Sequence, residues 1–157
     1  MTETKIDNQA QLGEFHHQYE VEINAPREKV WETMTGDVGE WWNHTFSEKP
    51  ARLYIEPKAG GYFGEDFDSH GNGCIHAVVT FVKKPEKLVY RGWMGMQGPV
   101  NGVISVVLEE NNGVTIMKLS HQCTGKVDEV VANGYGEGWK ELNIRLKELV
   151  ETGKITS

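Results

Sequence analysis

Two short runs hold the residue types from which a metal site could be built. Cys74-Ile75-His76 and His121-Gln122-Cys123 each place a thiol and an imidazole two positions apart, and residues two apart on a strand share a face. Four such ligands would suit tetrahedral zinc, at distances of about 2.0–2.3 Å. The same histidines could act singly. Inside an apolar pocket, His76 or His121 could orient a ligand or move a proton near neutral pH. The ordinary alternative is a core histidine bonded to a backbone carbonyl beside a buried cysteine. His121 is the better cavity candidate, because the facing of His76 is ambiguous. Glu65, Asp66 and Asp68 lie near a glycine-rich turn and are expected to be solvated rather than catalytic.

The aromatic residues carry more information. Trp31, Trp41, Trp42, Trp93 and Trp139, with Phe46, Phe67 and Tyr135, exceed what a small core needs. Any one of them fits ordinary packing; together they point to an aromatic-lined pocket for an apolar ligand. Trp93 precedes the glycines at 95 and 98, where a mobile pocket mouth would lie. The candidate ligand-binding residues are Trp41, Trp42, Phe67, Trp93, Met94, Met117, His121, Tyr135 and Trp139. The glycine-rich segments lack phosphate-loop spacing. No catalytic set, cofactor or metal is assigned.

These residues need a scaffold, and the end of the chain supplies its axis. Over 127–151, Val131, Tyr135, Trp139, Leu142, Leu146 and Leu149 recur at steps of three and four, which marks one face of a helix. Gly153 follows as a stop. Gly134, Gly136 and Gly138 interrupt the pattern, each costing about 1 kcal/mol relative to Ala. Either a turn at 133–136 breaks the helix, or missing side chains leave room for a guest between helix and sheet; the two can coexist.

Upstream, 15–23 alternates with Phe15, His17, Tyr19, Val21 and Ile23 on one face, as a half-buried strand does. Pro26 opens a short helix carrying Val30, Trp31 and Met34 inward, and 38–42 predicts a second short helix or turn. Strands are expected at 51–56, 62–67, 74–82, 87–93, 100–110 and 114–123, the last two joined through Glu110-Asn111-Asn112-Gly113. The result is an α+β domain with an antiparallel meander, the first strand joining an edge beside the last. Residues 1–13 and 153–157 are read as tails around one domain at 14–152.

Bulk composition removes several classes of function. The 157 residues are 38% hydrophobic and 25% charged, ordinary values for one globular domain. With 16 Lys+Arg against 23 Asp+Glu and no basic cluster, nucleic-acid or anionic-membrane binding has no electrostatic support. No apolar run approaches a membrane span, and the polar N-terminus lacks a signal-peptide core. Cytoplasmic location with reduced thiols is the expectation. Oligomeric state is open.

The ordered series Ile23-Asn-Ala-Pro26-Arg-Glu-Lys-Val30-Trp31, Trp41-Trp42, Pro57-Lys-Ala-Gly60-Gly61-Tyr62, Pro85-Glu-Lys-Leu88-Val-Tyr90, Gly113-Val-Thr115, His121 and Gly138-Trp139 with Leu142 and Leu146 resembles the SRPBCC (START-like, birch-pollen-allergen-like) superfamily. Within it, the chain is most similar to the activator of heat-shock-protein-90 ATPase homologue-like family, over about 19–151. The resemblance implies a helix-grip fold, in which a seven-stranded curved antiparallel sheet grips the C-terminal helix around a cavity, with two short helices after strand 1. It also implies a strand order that sets two strands between the Cys-His pairs. At about 4.8 Å per strand that is roughly 14 Å, too far for shared ligation. The eukaryotic co-chaperones of the family have an additional N-terminal domain important for ATPase stimulation, which this chain is expected to lack.

The expectation is therefore a non-enzymatic carrier or sensor of a small apolar molecule. One alternative is a cyclase- or hydrolase-type enzyme using a cavity histidine. The other is a co-chaperone-like module with a chaperone partner.

Overall fold

The computed structural model describes residues 11–156. Chain order is β1 (Gly13–Ile23), α1 (Arg27–Thr35), a 3₁₀ turn (Val38–Glu40), β2 (Arg52–Ile55), β3 (Tyr62–Asp66), β4 (Gly73–Lys83), β5 (Lys87–Gly92), β6 (Val100–Asn111), β7 (Val114–Gly125) and α2 (Glu129–Thr152). All seven strands form one sheet in the order β1-β7-β6-β5-β4-β3-β2, every pair antiparallel. This is the helix-grip architecture, and β1 joins β7 as the edge argument requires. The second short helix is a single 3₁₀ turn of three residues. Most of the stretch read as an N-terminal tail falls outside the described residues, but Gly13 already pairs with Gly125. At the other end Ile155 packs on the core, and Thr156 bonds the Glu148 carboxylate through both its N–H and its hydroxyl.

Local chemistry explains the elements. The β6–β7 hairpin closes through Asn112 and Gly113, both at positive φ (52° and 79°), the conformation that a two-residue turn between right-twisted strands requires. Along β6, Ile104, Val106 and Leu108 are buried and alternate with half-buried residues. Asp128 caps α2 by accepting from the Val131 N–H at 2.8 Å, satisfying one of the donors a helix start leaves free. Gly153 ends it in the left-handed region.

The helix is continuous from Glu129 to Thr152, so no turn breaks it at the glycines. Its buried residues are Gly136, Trp139, Leu142, Asn143, Leu146 and Val150. Of these, Trp139, Leu142, Leu146 and Val150 join Ile23, Leu88, Tyr90, Ile104, Leu108 and Met117 in the main core. Gly136 is buried against β1. A Cβ there would meet the His17 ring at 3.0 Å. In the space it leaves, Tyr19 donates to the Gly136 carbonyl at 2.6 Å and His17 to the Ala132 carbonyl at 2.7 Å. Gly134 and Gly138 face open space: an added methyl meets nothing within 4 Å at the first and only the His44 ring, at 3.8 Å, at the second.

Candidate functional site

A pocket of about 560 Å³ lies beside the first half of α2. Val131, Gly134, Tyr135, Gly138, Trp139 and Leu142 come from the helix; Trp42, His44, Thr45 and Phe46 come from the segment after the 3₁₀ turn; His76 comes from β4 and Met94 to Met96 from the β5–β6 loop. No Asp, Glu, Lys or Arg is among these walls.

Specific contacts fix the aromatic walls. Trp42 stands edge-on to Trp41, Phe63 and Trp139, with centroids 5.5, 4.9 and 5.6 Å away, and donates its indole N–H to the His44 carbonyl at 3.0 Å. Trp139 donates to Nδ1 of His121 at 2.9 Å. Tyr135 donates to the Met94 carbonyl at 2.6 Å, tying the helix to the loop; burial pushes its phenol pKa up to about 12, so it remains a donor. Met94 itself sits at φ 47°. That left-handed turn is uncommon for a non-glycine residue. Met94 is buried while Trp93 stays 45% exposed.

His76 is the buried polar residue of the wall, 3% exposed. The β3–β4 register shifts at Phe63/Gly64, so that Phe63 opposes Ala77 while Gly64 opposes Ile75. The extra residue is His76. A bulge of this kind re-aims a side chain, and here it resolves the ambiguous facing of His76 inward. Phe63 meets the ring edge-on at 5.0 Å and Phe46 lies nearly parallel to it at 6.2 Å. The His76 carbonyl accepts from the N–H groups of both Trp93 and Met94 at 2.9 Å, which anchors the opposite wall.

Behind His76 sits Glu65, 1% exposed, with a carboxylate oxygen 3.9 Å from Nε2 of the histidine. Its oxygens accept from the Phe46 N–H at 3.0 Å and the Ser47 N–H at 2.8 Å. The expectation that Glu65 is solvated is corrected: it is the internal anchor of the 42–47 wall. Burial holds the His76 pKa below the usual histidine value, and the Glu65 charge opposes that shift. Asp68 is engaged locally instead, accepting from His70 and Asn72.

A family model described as "Activator of Hsp90 ATPase homolog 1-like protein" matches residues 24–151. The chain belongs to this family. No curated protein sequence matches it significantly. Among solved structures, MLL2253 from Mesorhizobium loti is 19% identical with a TM-score of 0.66, covering 90% of this chain and all of its own. EF2215 from Enterococcus faecalis, titled a conserved protein of unknown function, is 19% identical with a TM-score of 0.67, covering 97% of this chain and 78% of its own. DynU16, titled as belonging to the dynemicin biosynthetic locus, is 23% identical with a TM-score of 0.66 and matches 88% of this chain but 48% of its own length. These likenesses establish the fold.

Within this Activator of Hsp90 ATPase homolog 1-like chain, four of the nine expected binding residues line the pocket: Trp42, Met94, Tyr135 and Trp139. The others lie elsewhere. Trp41 packs under Trp42. Phe67, past the end of β3, lies behind Phe46 with centroids 6.3 Å apart. Trp93 is on the outside, on the same side as Arg91, because it continues the alternation that buries Leu88, Tyr90 and Met94. Met117 is deep in the main core, paired with Val21 and Leu108. His121 is completely buried behind Trp139, where burial, aided by nearby His17, depresses its pKa to about 4.

The wall residues absent from that set are His44, Thr45, Phe46, His76, Gly95, Met96 and Val131, with the two helix glycines and Leu142. Phe46 was visible as an unplaced aromatic beside the tryptophan pair. The two Cys-His pairs stay apart, with β5 and β6 between β4 and β7. No group of three metal-ligating side chains comes together among the described residues.

Proposed function

We propose that this protein binds a small, uncharged, largely apolar molecule in the pocket beside α2, as a carrier or sensor. The observation that supports this reading is a space of about 560 Å³ walled by Trp42, Phe46, Tyr135, Trp139, two methionines and no formal charge. Pockets of a few hundred Å³ with apolar walls and few polar groups suit small ligands. The helix contributes to the space at the expense of its own propensity: Gly134 and Gly138 are both wall residues with room for a methyl.

Titration with lipids and aromatic polyketide-like compounds, read by tryptophan fluorescence, tests it. A saturable change is expected; a flat response across the panel overturns the reading. Mass spectrometry of the native protein from its host identifies what co-purifies. The enzymatic alternative with His121 as proton shuttle gains no support, since that ring is closed off by Trp139 and its ionisation is suppressed. The co-chaperone alternative rests on the family's description alone.

A further inference from the structure

The side-chain donors in the pocket wall are already engaged. Tyr135 donates to Met94, Trp42 to His44, Trp139 to His121 and Thr45 to the Ser47 carbonyl. His44, at the rim, lies 3.7 Å from Glu141. The buried exception is His76, 3% exposed. Its Nε2 has no hydrogen-bond partner, and the neighbour of Nδ1 is the Cys74 sulfur at 4.0 Å, a weak partner at best. A buried imidazole with neither nitrogen well satisfied is uncommon and calls for a partner.

Which nitrogen is available follows from Glu65. Two backbone N–H groups hold its carboxylate in place, and one oxygen lies 3.9 Å from Nε2. A fixed negative charge on that side favours the hydrogen on Nε2, leaving the lone pair on Nδ1. The Nδ1 edge faces Gly95: a Cβ built there would stand 4.0 Å from Nδ1 and 3.1 Å from the Phe46 ring. Gly95 is itself a pocket wall. Its missing side chain leaves the accepting nitrogen open to the cavity.

We propose that the occupant is a hydroxyl-bearing aromatic compound whose O–H donates to Nδ1 of His76, with Glu65 as the positioning residue that sets the tautomer. This rests on the binding reading above and deepens it. The aromatic walls receive the ring, and a buried ring nitrogen with no donor of its own selects an O–H over a carbonyl or ether.

The test uses 2-naphthol and 2-methoxynaphthalene, matched in shape except that the ether cannot donate. Wild-type protein should bind 2-naphthol about tenfold more tightly, the worth of one well-made hydrogen bond. His76→Phe should bind both with affinities within about twofold of each other. Equal binding of the two by wild type overturns the hydroxyl proposal and leaves the pocket reading standing. Binding of neither overturns both. A preference that survives in His76→Phe also overturns it. Where that variant does not fold, nitrogen NMR of the wild-type imidazole decides. Nε2–H with a bare Nδ1 whose resonance moves with 2-naphthol alone supports the assignment, and an Nδ1 unmoved by 2-naphthol overturns it.

Discussion

Trp139 donates its indole N–H to Nδ1 of His121 at 2.9 Å, so the hydrogen of the neutral ring sits on Nε2, a buried atom with no partner. Charging His121 would put a second hydrogen against the indole donor in a site with no exposure. Its pKa is accordingly depressed from 6.5 to about 4, chiefly by burial. A folded-state pKa below the unfolded value means that the unfolded chain takes up the proton first. The contribution is fully present above about pH 6.5 and is lost as pH falls toward about 4. Urea-unfolding free energies should therefore drop on acidification across this window, by roughly 3 kcal/mol from His121, with the depressed His76 adding in the same direction. Stability that holds flat or rises between about pH 6.5 and pH 5 would contradict this account.

The three helix glycines should respond differently to alanine. Gly134→Ala and Gly138→Ala meet open space and should each raise stability by about 1 kcal/mol through helix propensity. The same methyls enter the pocket wall and should weaken ligand binding. Gly136→Ala brings a methyl within 3.0 Å of a His17 ring held by the Ala132 carbonyl and stacked on Phe15 at 4.8 Å. That ring has nowhere to go, so overpacking should outweigh the propensity gain. Thermal midpoints of the three variants check the pattern; a stabilised Gly136→Ala would show the helix sits more loosely on β1.

Much of this architecture was readable from residue order, because alternation and a 3.6-residue period are local signals. Ile104, Val106 and Leu108 announce a strand, and Trp139, Leu142 and Leu146 a helix, without knowledge of any partner. The site was only half readable. Tyr135 and Trp139 fall on the helix face that any moment would find. Glu65 resembles a solvated carboxylate until Phe46 and Ser47, some twenty positions upstream, fold over it. His76 points inward because of a bulge that alternation does not encode. Trp93 and Met94 were both expected at the pocket, yet the alternation of β5 continues through them and turns only Met94 inward. Glu65 and His76 were missed because they depend on contacts distant in sequence and on a bulge, whereas the facing of Trp93 was a local signal.

Glu65→Gln should loosen the pocket wall. The carboxylate accepts two backbone N–H groups; an amide offers one oxygen and turns its NH₂ toward the second donor. Leaving a buried donor unsatisfied costs about 1–3 kcal/mol. Hydrogen exchange at the Phe46 and Ser47 amides should accelerate well beyond that in β6 and β7. Uniform acceleration through the sheet would mean that Glu65 supports the whole fold, and unchanged exchange that it anchors nothing.

The tryptophans divide into reporters and bystanders. Trp42 and Trp139 share an edge-to-face contact at 5.6 Å and both line the pocket, whereas Trp93 is 45% exposed and outside it. Aqueous iodide should quench Trp93 selectively, and Trp93→Phe should remove that component while leaving the ligand response intact. Trp139→Ala should do the opposite. At 3% exposure, losing the ring should destabilise by about 3–5 kcal/mol if the neighbours cannot close over the gap. Because one face already borders a void, the lower end of that range is expected. The loss also strips the His121 ring of the hydrogen bond to its Nδ1. Trp139→Phe separates the two effects: it keeps most of the packing and removes only the donor. If Trp139→Phe loses as much stability as Trp139→Ala, the indole N–H governs; if it stays near wild type, packing does. A ligand response abolished by Trp93→Phe rather than by Trp139 replacement would move the binding site out of the pocket altogether.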